Sequence, residues 1–175
     1  KTIIILFSDH GTSIGEKKGE KFYGVFVYDY TINIFCMLKI PNTEKKIINK
    51  QCRTIDIFPT ILDLAKISKE STHELQGESL ISFLENPNEE ERDVFVETGG
   101  LYGPWPSPDK HNVFCIKSNE KKLIYNETPK TWEFYDLKSD PEELNNIYDE
   151  NLEIIHLYKK KLFYYLKNNE IRLNF

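Results

Sequence analysis

Ile3-Ile4-Ile5-Leu6-Phe7-Ser8-Asp9-His10-Gly11 is the stretch of this 175-residue chain on which the reading of the fold turns. An unbroken apolar run, rich in β-branched residues, reads as a strand buried on both faces, the kind found inside a parallel sheet. The run ends abruptly in a carboxylate, an imidazole and a glycine. In open α/β sheets the ligand crevice lies beyond the carboxyl ends of the strands. Asp9 and His10 therefore stand where a metal or substrate site is expected, with a plain polar loop as the alternative.

Outward from this strand, the next one reads from Thr31 to Ile40 and stops at Pro41-Asn42. Between them, Ser13 to Tyr30 shows no period and reads as a long loop whose aromatics favour function over disorder. Asp56 to Ala65 reads as a helix. Its apolar positions Ile55, Phe58, Ile61, Leu62 and Ala65 recur at helical spacing and are expected to pack on the sheet. Pro59 falls in its first turn, where a missing N–H is tolerated. A short helix follows Gly77-Glu78-Ser79-Leu80 through Leu84, and Arg92 to Thr98 reads as another strand. Glycines and prolines from Gly99 to Asp109 break the chain. After them Val113–Lys117, Lys122–Tyr125 and Trp132–Leu137 form three short strands at hairpin spacing, an antiparallel meander. Ser139 to Glu143 is a turn into a final helix striped by Leu152, Ile155, Tyr158, Leu162 and Leu166. The expected class is α/β. Residues 1–98 form the C-terminal part of a helix-sandwiched core sheet, and residues 99–175 a small antiparallel sheet with a closing helix.

Composition sets outer bounds. Hydrophobic residues at 39% and aromatics at 13% suffice for a core, while a mean hydropathy of -0.51 implies a wet surface. A net charge of -5 argues against a nucleic-acid binder, which presents a basic face. The lysine runs (Lys17-Lys18, Lys45-Lys46, Lys121-Lys122, Lys159 to Lys161) read as solvated faces. Cys36, Cys52 and Cys115 are too few and scattered for a disulfide framework, and Cys36 and Cys115 read as buried packing residues. The odd cysteine count tilts localisation slightly towards a reducing, cytoplasmic compartment. No stretch has transmembrane length, and no membrane partner is expected. A chain that opens with Lys1 inside a core strand is expected to be a piece of something longer. Its exposed apolar sheet edge would then favour homo-oligomerisation or another cover.

Five segments together resemble the sulfatases of the alkaline-phosphatase superfamily. Ile3 to Gly11 resembles the strand that delivers two metal ligands. Tyr28-Asp29-Tyr30-Thr31-Ile32, with the strand and Pro41 after it, resembles the next core strand. Thr54 to Ala65, with Asp56 and Pro59-Thr60, is similar to a family helix. Gly77-Glu78-Ser79-Leu80 is similar to a family turn, and Glu133 to Asn146 to the C-terminal signature. The resemblance covers residues 1 to about 150. It implies an alkaline-phosphatase-like fold and the C-terminal portion of a sulfatase.

What the resemblance implies for chemistry is a divalent cation, Ca²⁺ first and Mn²⁺ or Zn²⁺ as alternatives. It also implies a formylglycine nucleophile made from a Cys/Ser-x-Pro-x-Arg motif, and a small-molecule or glycan sulfate ester as substrate. Asp9 matches the metal-binding aspartate and His10 the position after it. A direct His10 ligand would suit Mn²⁺ or Zn²⁺ better than a harder ion. No Cys/Ser-x-Pro-x-Arg occurs in the chain. The nucleophile is thus expected upstream of Lys1, and the isolated chain is expected to be inactive. The family's anion-binding His or Lys before the Tyr-Asp pair is replaced by Tyr23-Gly24, and its Arg by Asn33. Lys21, or Lys18, could supply the charge, and Tyr23 could donate a phenolic hydrogen bond. These departures keep two alternatives open: a phosphodiesterase or phosphonate monoester hydrolase of the same superfamily, and a non-catalytic fragment. His73, His111 and His156 read as surface residues, Trp105 as a hydrophobic latch or a stacking platform, and Glu97 as a salt bridge or a site residue.

Overall fold

The structure is a computed structural model that describes residues 2–17, 22–23, 26–67, 75–86, 88–99, 112–150, 153–169 and 171. It is a mixed α/β fold with one two-stranded and one four-stranded sheet. Two compact units divide it, residues 1–43 with 95–175, and residues 44–94. Among the described residues no helix is long and apolar enough to cross a membrane.

In the first unit, β1 (Ile4–Phe7) pairs with β2 (Cys36–Lys39) in an antiparallel register that sets Ile5 opposite Leu38. The expectation of a parallel strand buried on both faces is corrected here. Ile4 and Leu6 are each 51% exposed, and Phe7, Phe35 and Met37 are exposed as well. Two strands without a covering layer cannot bury either face, however apolar the sequence. The second strand is also shorter than Thr31–Ile40. Its first residues instead close α1 (Asp29–Ile32), a single turn in which the Thr31 hydroxyl donates to the Tyr28 carbonyl at 2.9 Å.

The larger sheet is an antiparallel meander of β3 (Val94–Thr98), β4 (Val113–Lys117), β5 (Lys121–Asn126) and β6 (Thr131–Asp136). Side chains alternate between its two faces. Phe114, Ile116, Leu123, Tyr125 and Phe134 pack under α4 (Glu153–Asn168), which contributes Ile155, Tyr158, Leu162 and Leu166. The final helix thus buries its expected stripe over all described positions; Leu152 lies outside them. Val113, Cys115, Ile124 and Tyr135 face the other way and are covered by Phe26, Val27 and Tyr28. Cys115 is fully buried, which pushes its thiol up to about 12, whereas Cys36 is only partly buried.

The second unit is built around one carboxylate. A 3-10 turn, Thr54–Asp56, runs into α2 (Ile57–Leu64), and α3 (Ser82–Glu85) follows. Asp56 is fully buried and accepts from Arg53 Nη2 at 2.8 Å and the Glu78 amide at 3.0 Å; Arg92 Nη1 lies 3.1 Å away. Burial alone would raise its pKa, but these hydrogen bonds and the flanking guanidinium charges outweigh burial and hold the carboxyl below its usual range. Thr60 donates to the Asp56 carbonyl at 2.6 Å and accepts from the Leu80 amide at 2.9 Å. A Cβ on Gly77 would lie 2.0 Å from the Ile55 carbonyl oxygen, so only glycine permits this approach. Within this unit, the family-like helix and the Gly-x-Ser-Leu turn therefore act as mutual scaffolding. Of the helix face expected to be buried, Leu62 is buried, together with Ile57, Pro59 and Thr60; the expectation is corrected for Ile55, Phe58, Ile61 and Ala65, which are exposed. Asp56 and Thr60 turn inward because their hydrogen-bonding partners lie on that side.

Candidate active site

Asp9, His10 and Gly11 leave the end of β1 and are held by the α1 turn. The Ser8 amide still donates to the Phe35 carbonyl at 3.3 Å, and the Gly11 amide donates to Thr31 at 2.8 Å. A Cβ on Gly11 would sit 2.1 Å from the Tyr30 carbonyl oxygen. Glycine is required here so that the two backbones can touch. Next, the chain reverses: Ser13 forms an isolated bridge with Phe22, its amide donating at 2.6 Å, and Phe22 adopts the left-handed φ of 69°. That reversal returns Tyr23 to His10, with ring centroids 3.9 Å apart and planes inclined at 27°.

The two candidate donors adjoin one another. The Asp9 side chain is 85% exposed, and Asp9 Oδ2 lies 3.6 Å from His10 Nε2. His10 Nδ1 lies 2.7 Å from the Gly11 carbonyl oxygen, which can only accept. In the neutral ring the proton is therefore on Nδ1, and Nε2 carries the lone pair on the side of the Asp9 carboxylate. A backbone carbonyl that fixes the tautomer is the arrangement metal-ligating histidines use. One oxygen and one nitrogen donor suit a divalent ion but do not complete its shell. Among the described residues no group of three or more His, Cys, Asp or Glu side chains is placed to hold a metal.

The remaining candidates are dispersed. Lys21 and Lys18 lie outside the described residues, as do His73, Trp105 and His111. His156 is exposed on α4. Glu97 accepts a hydrogen bond from Tyr165 at 3.2 Å, so it faces the closing helix. Asn33 donates to Asp29 at 3.1 Å and accepts from Lys117 at 2.9 Å, within a polar cluster and not in the candidate site.

That cluster escaped the sequence reading. Lys122, expected on a solvated face, is 0% exposed. Its ammonium meets the Val27 carbonyl at 3.0 Å, Glu143 Oε1 at 2.6 Å and Asp29 Oδ1. Burial would lower the Lys122 pKa, but the neighbouring Cys115, Glu143 and Asp29 raise it above the ordinary value. Burial likewise works against the charged form of Asp29, yet Lys122 and Lys117 hold its carboxyl low. The available signal was parity: Lys122 shares its strand face with Ile124, and Lys117 with Cys115, both core positions.

Three comparisons with known proteins bear on this arrangement. Residues 19–168 match the family model described as N-sulphoglucosamine sulphohydrolase, C-terminal. The chain is 32% identical over 154 residues to the N-acetylglucosamine-6-O-sulfatase of Bacteroides thetaiotaomicron, covering 84% of this chain and 26% of that protein. A structure solved in complex with its substrate D-glucosamine-2-N,6-O-disulfate superposes with a TM-score of 0.72 at 26% identity, over 94% of this chain and 34% of that one. A phosphonate monoester hydrolase from Silicibacter pomeroyi gives 0.73 at 18% identity, covering 95% of this chain and 35% of that one, a likeness of fold alone. The chain thus spans about a quarter to a third of the length of the proteins it matches.

Proposed function

Because this chain belongs to the N-sulphoglucosamine sulphohydrolase C-terminal family, and so to the sulfatases, we propose that it is the C-terminal portion of a sulfuric ester hydrolase acting on a sulfated sugar. The observation that carries the reading is the Asp9–His10 pair, with Asp9 open to solvent, at the end of a strand whose glycine is clamped on α1. Asp9 Oδ2 and His10 Nε2 would hold a divalent cation, Ca²⁺ first, with Mn²⁺ or Zn²⁺ favoured by a direct nitrogen ligand. Such a cation, when bound, would supply polarisation of the sulfuryl oxygens of the ester. The chain's own residues orient the donors. Gly11 and Thr31 fix the backbone, the Gly11 carbonyl fixes the imidazole, and the half-exposed Tyr23 ring covers His10 and offers a hydroxyl to the ester. Lys21, from the same loop, would add a positive charge. The sulfated-sugar class is supported by the disulfated glucosamine held by the structural neighbour.

No Cys/Ser-x-Pro-x-Arg occurs within the chain, which spans about a quarter to a third of its relatives' length, so the nucleophile would lie outside these residues. The test compares this chain with the product of the coding sequence extended upstream, assaying 4-nitrophenyl sulfate and 4-nitrophenyl phosphonate esters with added Ca²⁺ or Mn²⁺. We expect no turnover by the chain alone, sulfate-ester turnover by the extended protein, and its loss in Asp9→Asn. Turnover by the isolated chain would sink the assignment of the nucleophile. A phosphonate preference in the extended protein would replace sulfatase chemistry with that of the fold neighbour, and no turnover at all would leave a binding fragment.

A further inference from the structure

The C-terminal signature contributes Glu143 to the polar cluster around Asp29. Lys117 and Lys122 are direct cross-strand partners on the sheet face that carries Cys115 and Ile124. Like charges directly opposite one another destabilise a sheet, and burial aggravates this. Asp29 bridges the pair, with Oδ2 2.7 Å from Lys117 and Oδ1 on Lys122. Glu143 completes the neutralisation. Its Oε1 accepts from Lys122, its Oε2 accepts the Asp29 amide at 2.6 Å, and its carbonyl accepts the Lys17 ammonium. Lys17 also lies 4.5 Å from the Tyr28 ring centroid. Glu143 is almost fully buried and holds a left-handed φ of 55°, a conformation glycine would adopt more readily. Glycine would supply no carboxylate. The position thus serves its side chain at the expense of its backbone.

Lys17 and Asp29 stand at the two ends of the loop that carries Tyr23. Asp29 opens α1, whose Tyr30 and Thr31 carbonyls receive Gly11. We infer that Glu143 is a positioning residue for the Asp9–His10–Tyr23 site, acting through Asp29 and Lys17 without touching the site itself. The inference rests on the reading of Asp9 and His10 as the metal donors.

The experiment uses the full chain, isotope-labelled for amide detection, unsubstituted, as Glu143→Gln, and as Glu143→Gln with Lys122→Met. Hydrogen exchange is followed at Gly11 and Asn33, whose amides bond Thr31 and Asp29, and at Tyr158 and Leu162 in α4 as controls. Broadening of the His10 and Gly11 signals by Mn²⁺ is measured in parallel. Glu143→Gln should speed Gly11 and Asn33 exchange by about tenfold or more, with the controls within about twofold. It should also raise the Mn²⁺ concentration needed for broadening. The double variant leaves no unpaired buried ammonium at 122. It should recover the melting temperature without recovering Gly11 protection, and it serves as the readout where the single variant unfolds. Equal acceleration at all four amides, or unchanged Gly11 exchange, would overturn the inference, since either describes an ordinary buried ion pair. If Mn²⁺ fails to broaden His10 in the unsubstituted chain, the metal reading falls, and Gly11 exchange still decides the positioning role.

Discussion

The two sheets of the first unit end in conditions opposite to those their residues would suggest. β1 and β2 are mostly aliphatic, yet Ile4, Leu6 and Met37 face solvent. β4 and β5 contain lysines and an asparagine, yet Lys117, Lys122 and Asn126 are buried. The larger sheet has α4 on one face and the Phe26–Tyr28 segment on the other, so Lys117, Lys122 and Asn126 are enclosed. Among the described residues the smaller sheet has one pairing and keeps Ile4, Leu6 and Met37 exposed. Hydropathy states what a strand prefers, and the neighbouring layers decide what it obtains.

The largest expected effect lies in the enclosed sheet. Lys122→Met leaves the buried Glu143 carboxylate without its ammonium partner and Asp29 with Lys117 alone. It should destabilise the chain by about 3–5 kcal/mol, as when one partner of a buried pair is removed. Urea unfolding at neutral pH measures this. The pH dependence carries a sign. The folded Lys122 pKa is raised, so its contribution is fully present below the ordinary value of 10.5 and is lost as pH rises through the higher folded value. The unsubstituted chain should therefore lose stability steeply at alkaline pH, and Lys122→Met less steeply. Equal slopes would mean that Lys122 is not charged in the fold.

Next comes a matched pair of truncations. Leu162→Ala empties a fully buried site under the larger sheet and should lower stability by about 2–5 kcal/mol. Ile4→Ala, in the exposed sheet, should change it by no more than about 0.5 kcal/mol. Comparable losses would show that the β1–β2 faces are covered in solution. The smallest effect sharpens that point. If the exposed β1–β2 faces meet a second copy of the chain, sedimentation should show concentration-dependent association that Leu6→Glu weakens. A single monomeric species at every concentration would end the homo-oligomer proposal.

Local pattern carried far in this chain. The meander strands lie within a residue or so of where hairpin spacing put them, and α4 buries Ile155, Tyr158, Leu162 and Leu166 as its period required. The motif-bearing stretches led to the sulfatase family. Asp9 and His10 were named from residue type and position and Tyr23 from the family resemblance, and the Ser13–Phe22 bridge places Tyr23 on His10. Less was legible where burial depends on distant partners. The α2 face could not be oriented without knowing that Asp56 would meet Arg92. The antiparallel pairing of β1 was hidden because an apolar run reports burial preference and not strand direction.

The sequence by itself determined the helix and strand periods, the family, and the absence of the nucleophile motif within these residues. These are properties of neighbouring residues or of composition, and they need no contact partner. Only the tertiary structure decided that two lysines, an aspartate and a glutamate form one polar cluster. Asp29 and Lys122 are 93 positions apart, and Glu143 a further 21. A charge can be enclosed only when opposite charges arrive with it, and chain folding alone brings them together.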